Sequence, residues 1–134
     1  MGRVLGIDYG DVRIGIALSD ETAFLASSFC MIKNSCTALD EIAALIAEHA
    51  VEKIVIGLPR NMDGSYGPAT EKVRAFIEKL KEKILIPVFE WDERLSTVSA
   101  HNALREAGLD GKRRKEVVDK IAAQIILQNW LDAQ

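Results

Sequence analysis

Three places along the 134-residue chain hold acids that could do chemistry. Asp8 closes the apolar run Val4-Leu5-Gly6-Ile7. A carboxylate ending a buried strand needs a metal, a cation or several hydrogen bonds, because uncompensated charge burial is costly. An aspartate two residues before Gly10 equally suits a plain turn. The second place is Asp92-Glu93-Arg94, which ends the last strand-like segment. Sites in open α/β sheets lie outside the carboxyl ends of parallel strands, so this cluster meets Asp8 at one sheet edge if the two strands run parallel. Capping and salt-bridging at a strand–helix junction is its plainer role. The third is Glu116 with Asp119, three apart and therefore on one helical face. Ala122 and Ala123 follow, small enough to let a helix lie close on a sheet. The rival role is that of solvated acids stabilised near a helix start.

Acids from a first strand, a last strand and a closing helix make a sensible metal site. Carboxylates and water suit hard cations such as Mg²⁺ and Mn²⁺. Two such ions about 4 Å apart can activate water and stabilise the leaving oxygen in phosphodiester hydrolysis. Everything depends on the three places converging in space. Gly6, Gly10 and Gly15 lie on or between the first two strands, which suits close approach of a phosphate or metal-bound substrate. Tight packing of a helix would use the same glycines. Other chemistries are poorly served. His49 and His101 have no partner at ligand spacing, and no G-x-S-x-G elbow, Walker A loop or G-x-G-x-x-G fingerprint is present.

The elements that must position these groups follow from periodicity. Val4–Ile7 reads as a buried strand. Arg13–Ser19 reads as a second, with Ile14, Ile16 and Leu18 alternating against Gly15 and Ala17 to give one bulky and one small face. Phe24–Ile32 is expected as a third. Leu39, Ile42, Ala43 and Ile46 then share a helical face. Ile54–Leu58 is another buried run, stopped by Pro59, and residues 60–67 form a loop by composition. Pro68 opens a helix with Val73, Phe76, Ile77 and Leu80 inward. Ile84–Trp91 is expected as the last strand. A helix capped by Ser96 or Thr97 and ended by Gly108 follows. The closing helix spans about Lys112–Leu131, with Val118, Ile121, Ala122, Ile125 and Ile126 inward. Trp91 and Trp130 read as packing residues. The order β-β-β-α-β-α-β-α-α predicts one mixed five-stranded sheet flanked by helices on both faces. Residues 1–134 are expected to form a single domain, without linker or repeat.

Composition excludes several classes. With 49% apolar and 28% charged residues the chain is globular, and no apolar run approaches the ~20 residues of a membrane span. The N-terminus runs straight into a strand and leaves no room for a signal peptide. Cys30 and Cys36 lack disulfide-framework and zinc spacing and read as thiols of a reducing compartment. A net charge of −3 argues against a general nucleic-acid coat, but a local basic patch, Lys112-Arg113-Arg114-Lys115, keeps phosphate binding open.

Several segments together resemble the YqgF family, whose members are also described as RuvX or Holliday junction resolvases. They are Gly6-Ile7-Asp8-Tyr9-Gly10 with Arg13-Ile14-Gly15-Ile16-Ala17; Gly57-Leu58-Pro59 with Asn61-Met62-Asp63-Gly64-Ser65; Asp92-Glu93-Arg94-Leu95-Ser96-Thr97; and Asp119 with Ala122-Ala123 and Ile126-Leu127-Gln128. They span nearly the whole chain in order. The resemblance implies an RNase H-like fold and a metal-dependent cytoplasmic nuclease for the 5′ end of pre-16S ribosomal RNA, with Mg²⁺ or Mn²⁺ as cofactor. It implies Asp8, Glu93 and Asp119 as the acidic triad, with Asp92 competing against Glu93 because neighbouring strand residues point to opposite faces. RuvC-type resolvases place an acid at the end of the strand after the first long helix. This chain has Gly57-Leu58-Pro59-Arg60 there, so the second acid has moved to the final strand.

Arg13, Asn61, Arg94 and Lys115 are the candidate phosphate contacts, since arginine forks suit phosphate oxygens and such contacts position a substrate without reading its sequence. The implied partner is structured RNA, with ribosomal precursor particles as its setting and four-way junction DNA as the alternative. A junction resolvase needs paired sites and hence a homodimer, whereas an RNA-processing enzyme can be a monomer. Two other classes compete. The Asp-x-Gly hairpin also resembles the phosphate loop of actin-like kinases, but one domain supplies only half of their cleft. A non-catalytic RNA or ribosome-assembly factor could retain the same fold.

Overall fold

Alternation along the first two strands gives the sheet unequal faces. In the computed structural model, which describes residues 2–59, 63, 65–92 and 111–134 (for 111–120 the backbone alone), β1 spans Arg3–Tyr9 and β2 Arg13–Ser19. They pair antiparallel, with Asp8 opposite Gly15. β3 (Ala26–Lys33) adds antiparallel to β2. Helix α1 (Ala38–Glu48) then crosses to β4 (Val51–Leu58), which lies parallel to β1 on its other side. Helix α2 (Pro68–Lys83) crosses again to β5 (Val88–Asp92), parallel to β4. The sheet order is β3-β2-β1-β4-β5, the expected mixed five-stranded arrangement. Helix α3 (Gly111–Asp132) closes the described chain.

One face carries Leu5, Ile7, Ile14, Ile16, Ile54 and Ile56, packed against Ala38 and Ile42 of α1 and Val73, Phe76, Ile77 and Leu80 of α2. Each such side chain contributes about 1.5–3 kcal/mol by leaving water. The other face is made of Val4, Ala17 and Val55 under Ala123, Ile126, Leu127, Trp130 and Leu131 of α3. Here the sheet is nearly bare of bulk, so α3 lies very close. A Cβ on Gly6 would stand 2.7 Å from Leu127 Cβ and 2.9 Å from the Ala123 carbonyl oxygen. The β1–β2 turn has its own demand for glycine, because a Cβ on Gly10 would collide with the carbonyl oxygen of Arg13.

Four expectations need correction or fall outside the described residues. The third strand begins at Ala26, not Phe24. The Asp20 carboxylate takes the N–H groups of Phe24 (2.8 Å) and Leu25 (3.1 Å) and the Thr22 hydroxyl, holding those residues in a turn. The fifth strand begins at Val88, not Ile84. The Ile84 N–H instead closes α2 on the Leu80 carbonyl, and Pro87 has no N–H to give a ladder. The inner stripe of α3 is turned by about one residue. Ile126 is buried as expected, but Ile121, Ala122 and Ile125 are only half-buried, and the seam runs through Ala123, Leu127, Trp130 and Leu131. Closest approach at Gly6 selects that rotation. The helix expected between Ser96 and Gly108 lies outside the described residues, as does the side chain of Val118. Among the described residues no helix is long and apolar enough to cross a membrane.

Candidate active site

Asp8 belongs to the α3 face. Leu5, Ile7 and Tyr9 pack on the α1–α2 side, so Val4, Gly6 and Asp8 face the other way. The neighbour of Asp8 on β2 is Gly15, and a Cβ there would lie 3.6 Å from both Asp8 Cβ and Ala123 Cβ. On the β4 side the last described pair is Ile7 with Ile56, which brings Gly57 level with Asp8. The carboxylate therefore stands at the mouth of the sheet between two residues without side chains. Across this row Gly15 is followed by Met31, and Gly57 by Trp91. Gly15 and Gly57 are themselves buried whereas Asp8 is partly exposed, and carboxylate oxygens are the donors hard cations take.

Helix α3 runs antiparallel to β1. Ala123 and Leu127 sit by Gly6, while Trp130 and Leu131 border a cavity of about 200 Å³ with Gly2 and Val4. Its earlier turns thus advance toward the Asp8 end of the strand. Asp119 stands one turn before Ala123, about 6 Å along the axis, on the stripe that continues through Ala123, Ile126 and Leu127. Glu116 lies further out on the same helix. Their side chains, with that of Lys115, are outside the described residues. Two glutamines hold α3 in this register. Gln128 Oε1 accepts the Ala26 N–H (2.8 Å), and its amide donates to the Phe24 carbonyl (3.1 Å). Gln124 donates to the Ala26 carbonyl (3.2 Å) and accepts the Ser28 hydroxyl (2.9 Å). Sequence reasoning did not assign this role to them; their spacing of four on a helix beside an edge strand was the available signal.

Asp92 and Asp8 are on opposite faces. Asp92 is level with Leu58, a residue of the α1–α2 core, whereas Trp91 turns toward α3. Glu93 and Arg94 lie outside the described residues. Arg13 is exposed on the α3 face, two residues before Gly15. Asn61 also lies outside, between well-anchored flanks. The buried Thr70 hydroxyl donates to the Pro59 carbonyl and accepts the Gly67 N–H (3.3 Å), pinning the start of α2 to the end of β4. Among the described residues no three His, Cys, Asp or Glu side chains gather to hold a metal.

On the opposite side of the same sheet edge lies a cleft in two parts. One, of about 260 Å³, includes Gly10, Asp11, Pro59 and Pro68. The other, of about 350 Å³, includes Asn34, Ser35 and Lys79. Tyr9 and Lys72 border both. Lys72 pairs with Asp11 at 3.2 Å.

Residues 2–133 match the model of a family described as RuvX: Holliday junction resolvase. Two relatives, from Desulforamulus reducens and Halothermothrix orenii, are 47% and 48% identical over 133 and 134 residues. The matches cover 98% of this chain and 97% and 96% of theirs, and each relative is named "Putative pre-16S rRNA nuclease". The fold is shared with Thermus thermophilus RuvC. RuvC in complex with a Holliday junction substrate superposes with a TM-score of 0.58 at 15% identity, covering 99% of this chain and 95% of that one. A second RuvC structure gives 0.55 at 14%, covering 98% and 95%.

Proposed function

The chain belongs to the RuvX family, and from that premise we propose that it is a metal-dependent nuclease hydrolysing phosphodiester bonds, acting in 5′-end maturation of pre-16S rRNA. The observation that carries this reading is the position of Asp8: a strand-end carboxylate between Gly15 and Gly57, with α3 bringing Asp119 toward the same end. The names of the relatives support the rRNA substrate. The RuvC likeness supports the fold alone.

Asp8, Glu93 and Asp119 would hold Mg²⁺ or Mn²⁺, which when bound supplies an activated water and neutralises charge at the leaving oxygen. Strand alternation favours Glu93 over Asp92, because Asp92 is on the face away from Asp8. The glycines paired across from and level with Asp8 put no side chain of β2 or β4 next to the carboxylate that the phosphodiester must reach. Arg13, Asn61, Arg94 and Lys115 hold phosphate oxygens along the bound strand and orient it. The first turn of α3 starts Gly111-Lys112-Arg113-Arg114-Lys115, so its backbone carries a basic run to the same edge. The setting is cytoplasmic, on structured precursor rRNA within ribosomal particles, and one chain suffices for one site.

The test uses purified protein with Mn²⁺ or Mg²⁺ and end-labelled precursor rRNA, four-way DNA junction and plain duplex, with Asp8→Asn alongside. Cleavage confined to the RNA and lost in the variant is the expected result. Symmetric nicking of the junction would instead assign a resolvase working as a homodimer. Binding without cleavage of any substrate would leave an assembly factor.

A further inference from the structure

Arg13 and Lys33 are directly opposite each other on β2 and β3. Gly15 and Met31 form the next pair on the same face, that of Asp8 and α3, since the Met31 sulfur lies 3.4 Å from where a Gly15 Cβ would be. Both cations are exposed, and neither meets a carboxylate among the described residues. Asp11, close in sequence, is engaged by Lys72. Like charges directly opposite in an antiparallel pair destabilise it, with Cβ atoms only about 5 Å apart. The chain as a whole has 20 acids against 17 Lys and Arg, so a cation pair that meets no carboxylate among the described residues stands out locally. The backbone beneath it is fixed. The Asn34 N–H donates to the Val12 carbonyl (2.9 Å) and the Asn34 amide to the Gly10 carbonyl (2.8 Å), which ties the end of β3 to the β1–β2 turn.

We infer that Arg13 and Lys33 form a two-cation seat for one phosphate of the RNA strand, adjacent to the phosphate that is cleaved. This rests on the nuclease reading and adds to it the path of the substrate. Two residues along a strand is about 6.8 Å, so the seat lies one row beyond the row of Asp8 and Gly15, within the reach of a neighbouring phosphate. Between the two positions Gly15 is buried and the 41% exposed Met31 forms the surface, its soft thioether able to accommodate a sugar or base of any identity. A phosphate in the seat accepts hydrogen bonds from both side chains at once and cancels their repulsion. The strand therefore leaves the acid over the β2–β3 edge, and the seat sets register without reading sequence.

The experiment measures binding separately from cleavage. In an Asp8→Asn background without divalent metal, affinity for the 5′ precursor rRNA segment is titrated at several KCl concentrations, with Lys33→Ala, Lys33→Arg and the Arg13→Ala/Lys33→Ala pair. Lys33→Ala should bind about five-fold more weakly, with Lys33→Arg close to the parent. The double variant should lower the salt slope by about 0.7, the contribution of one phosphate on a single strand. Without RNA, Lys33→Ala should melt no lower than the parent at low salt, because a repulsion has been removed. An unchanged affinity and slope in the double variant overturns the seat even if wild-type protein cleaves RNA. Absence of RNA binding by the parent overturns it too. Cleavage retained in Asp8→Asn alone sinks the catalytic reading and leaves the slope measurement to decide the seat.

Discussion

The two faces of the central sheet are built from opposite materials. Toward α1 and α2 the strands present Ile7, Ile14, Ile16, Ile54 and Ile56, all essentially inaccessible. Toward α3 the same strands present Gly6, Gly15, Ala17 and Gly57. Bulk on the first face excludes water and supplies stability. Its absence on the second allows a helix to come within contact of the backbone and leaves no β2 or β4 side chain directly beside Asp8. One sheet thus separates the work of folding from the work of the site, because period two sends neighbouring residues to opposite sides.

This contrast can be broken in graded steps. Asp8→Asn should lower cleavage on the order of 10³-fold, consistent with losing several kcal/mol of transition-state stabilisation. Its urea midpoint should correspond to a stability within about 1 kcal/mol of the parent; a large loss of stability would place Asp8 on the structural side of the contrast. Ile56→Ala, on the bulky face, should cost about 2–5 kcal/mol in urea unfolding while the folded protein keeps its turnover. Gly6→Ala mixes the two. It should cost about 1–3 kcal/mol by overpacking, and it should also reduce turnover, because α3 carries Asp119. Full activity with unchanged stability would show that the close approach at Gly6 matters to neither.

The smallest effect belongs to the edge loop, away from both faces. The Thr22 hydroxyl, followed by the N–H groups of Phe24 and Leu25, holds the Asp20 carboxyl below its ordinary value of 3.8. A lowered folded pKa stabilises fully above the ordinary value and is lost as pH falls through the folded one. Asp20→Asn should therefore alter only the acid limb of a stability–pH profile, flattening it below about pH 4, with no change in cleavage at neutral pH.

Much of this arrangement was readable in local pattern. Ile14, Ile16 and Leu18 against Gly15 and Ala17 announced a bulky and a small face, and Val73, Phe76, Ile77 and Leu80 announced the buried stripe of α2. Both are realised because each depends only on the period of one element. Errors arose where a neighbour decided. Phe24 and Leu25 have strand composition but are taken by the Asp20 carboxylate. Ile84 and Leu85 look like strand, but the end of α2 and Pro87 claim that stretch. The stripe of α3 slipped by about one residue because alanines and isoleucines fit several rotations, and only the clearance over Gly6 chooses one.

The residues themselves determined the element types, the mixed sheet and the placing of Asp8 at a strand end, since these follow from periodicity, turn chemistry and chain order. Tertiary structure decided that Gly57 lies level with Asp8, that Asp92 is on the opposite face and that Lys33 stands across from Arg13. Each of those is a matter of register between strands distant in sequence. A one-residue slip reverses every such relation, and the register is set by the packed faces together, not by any one segment.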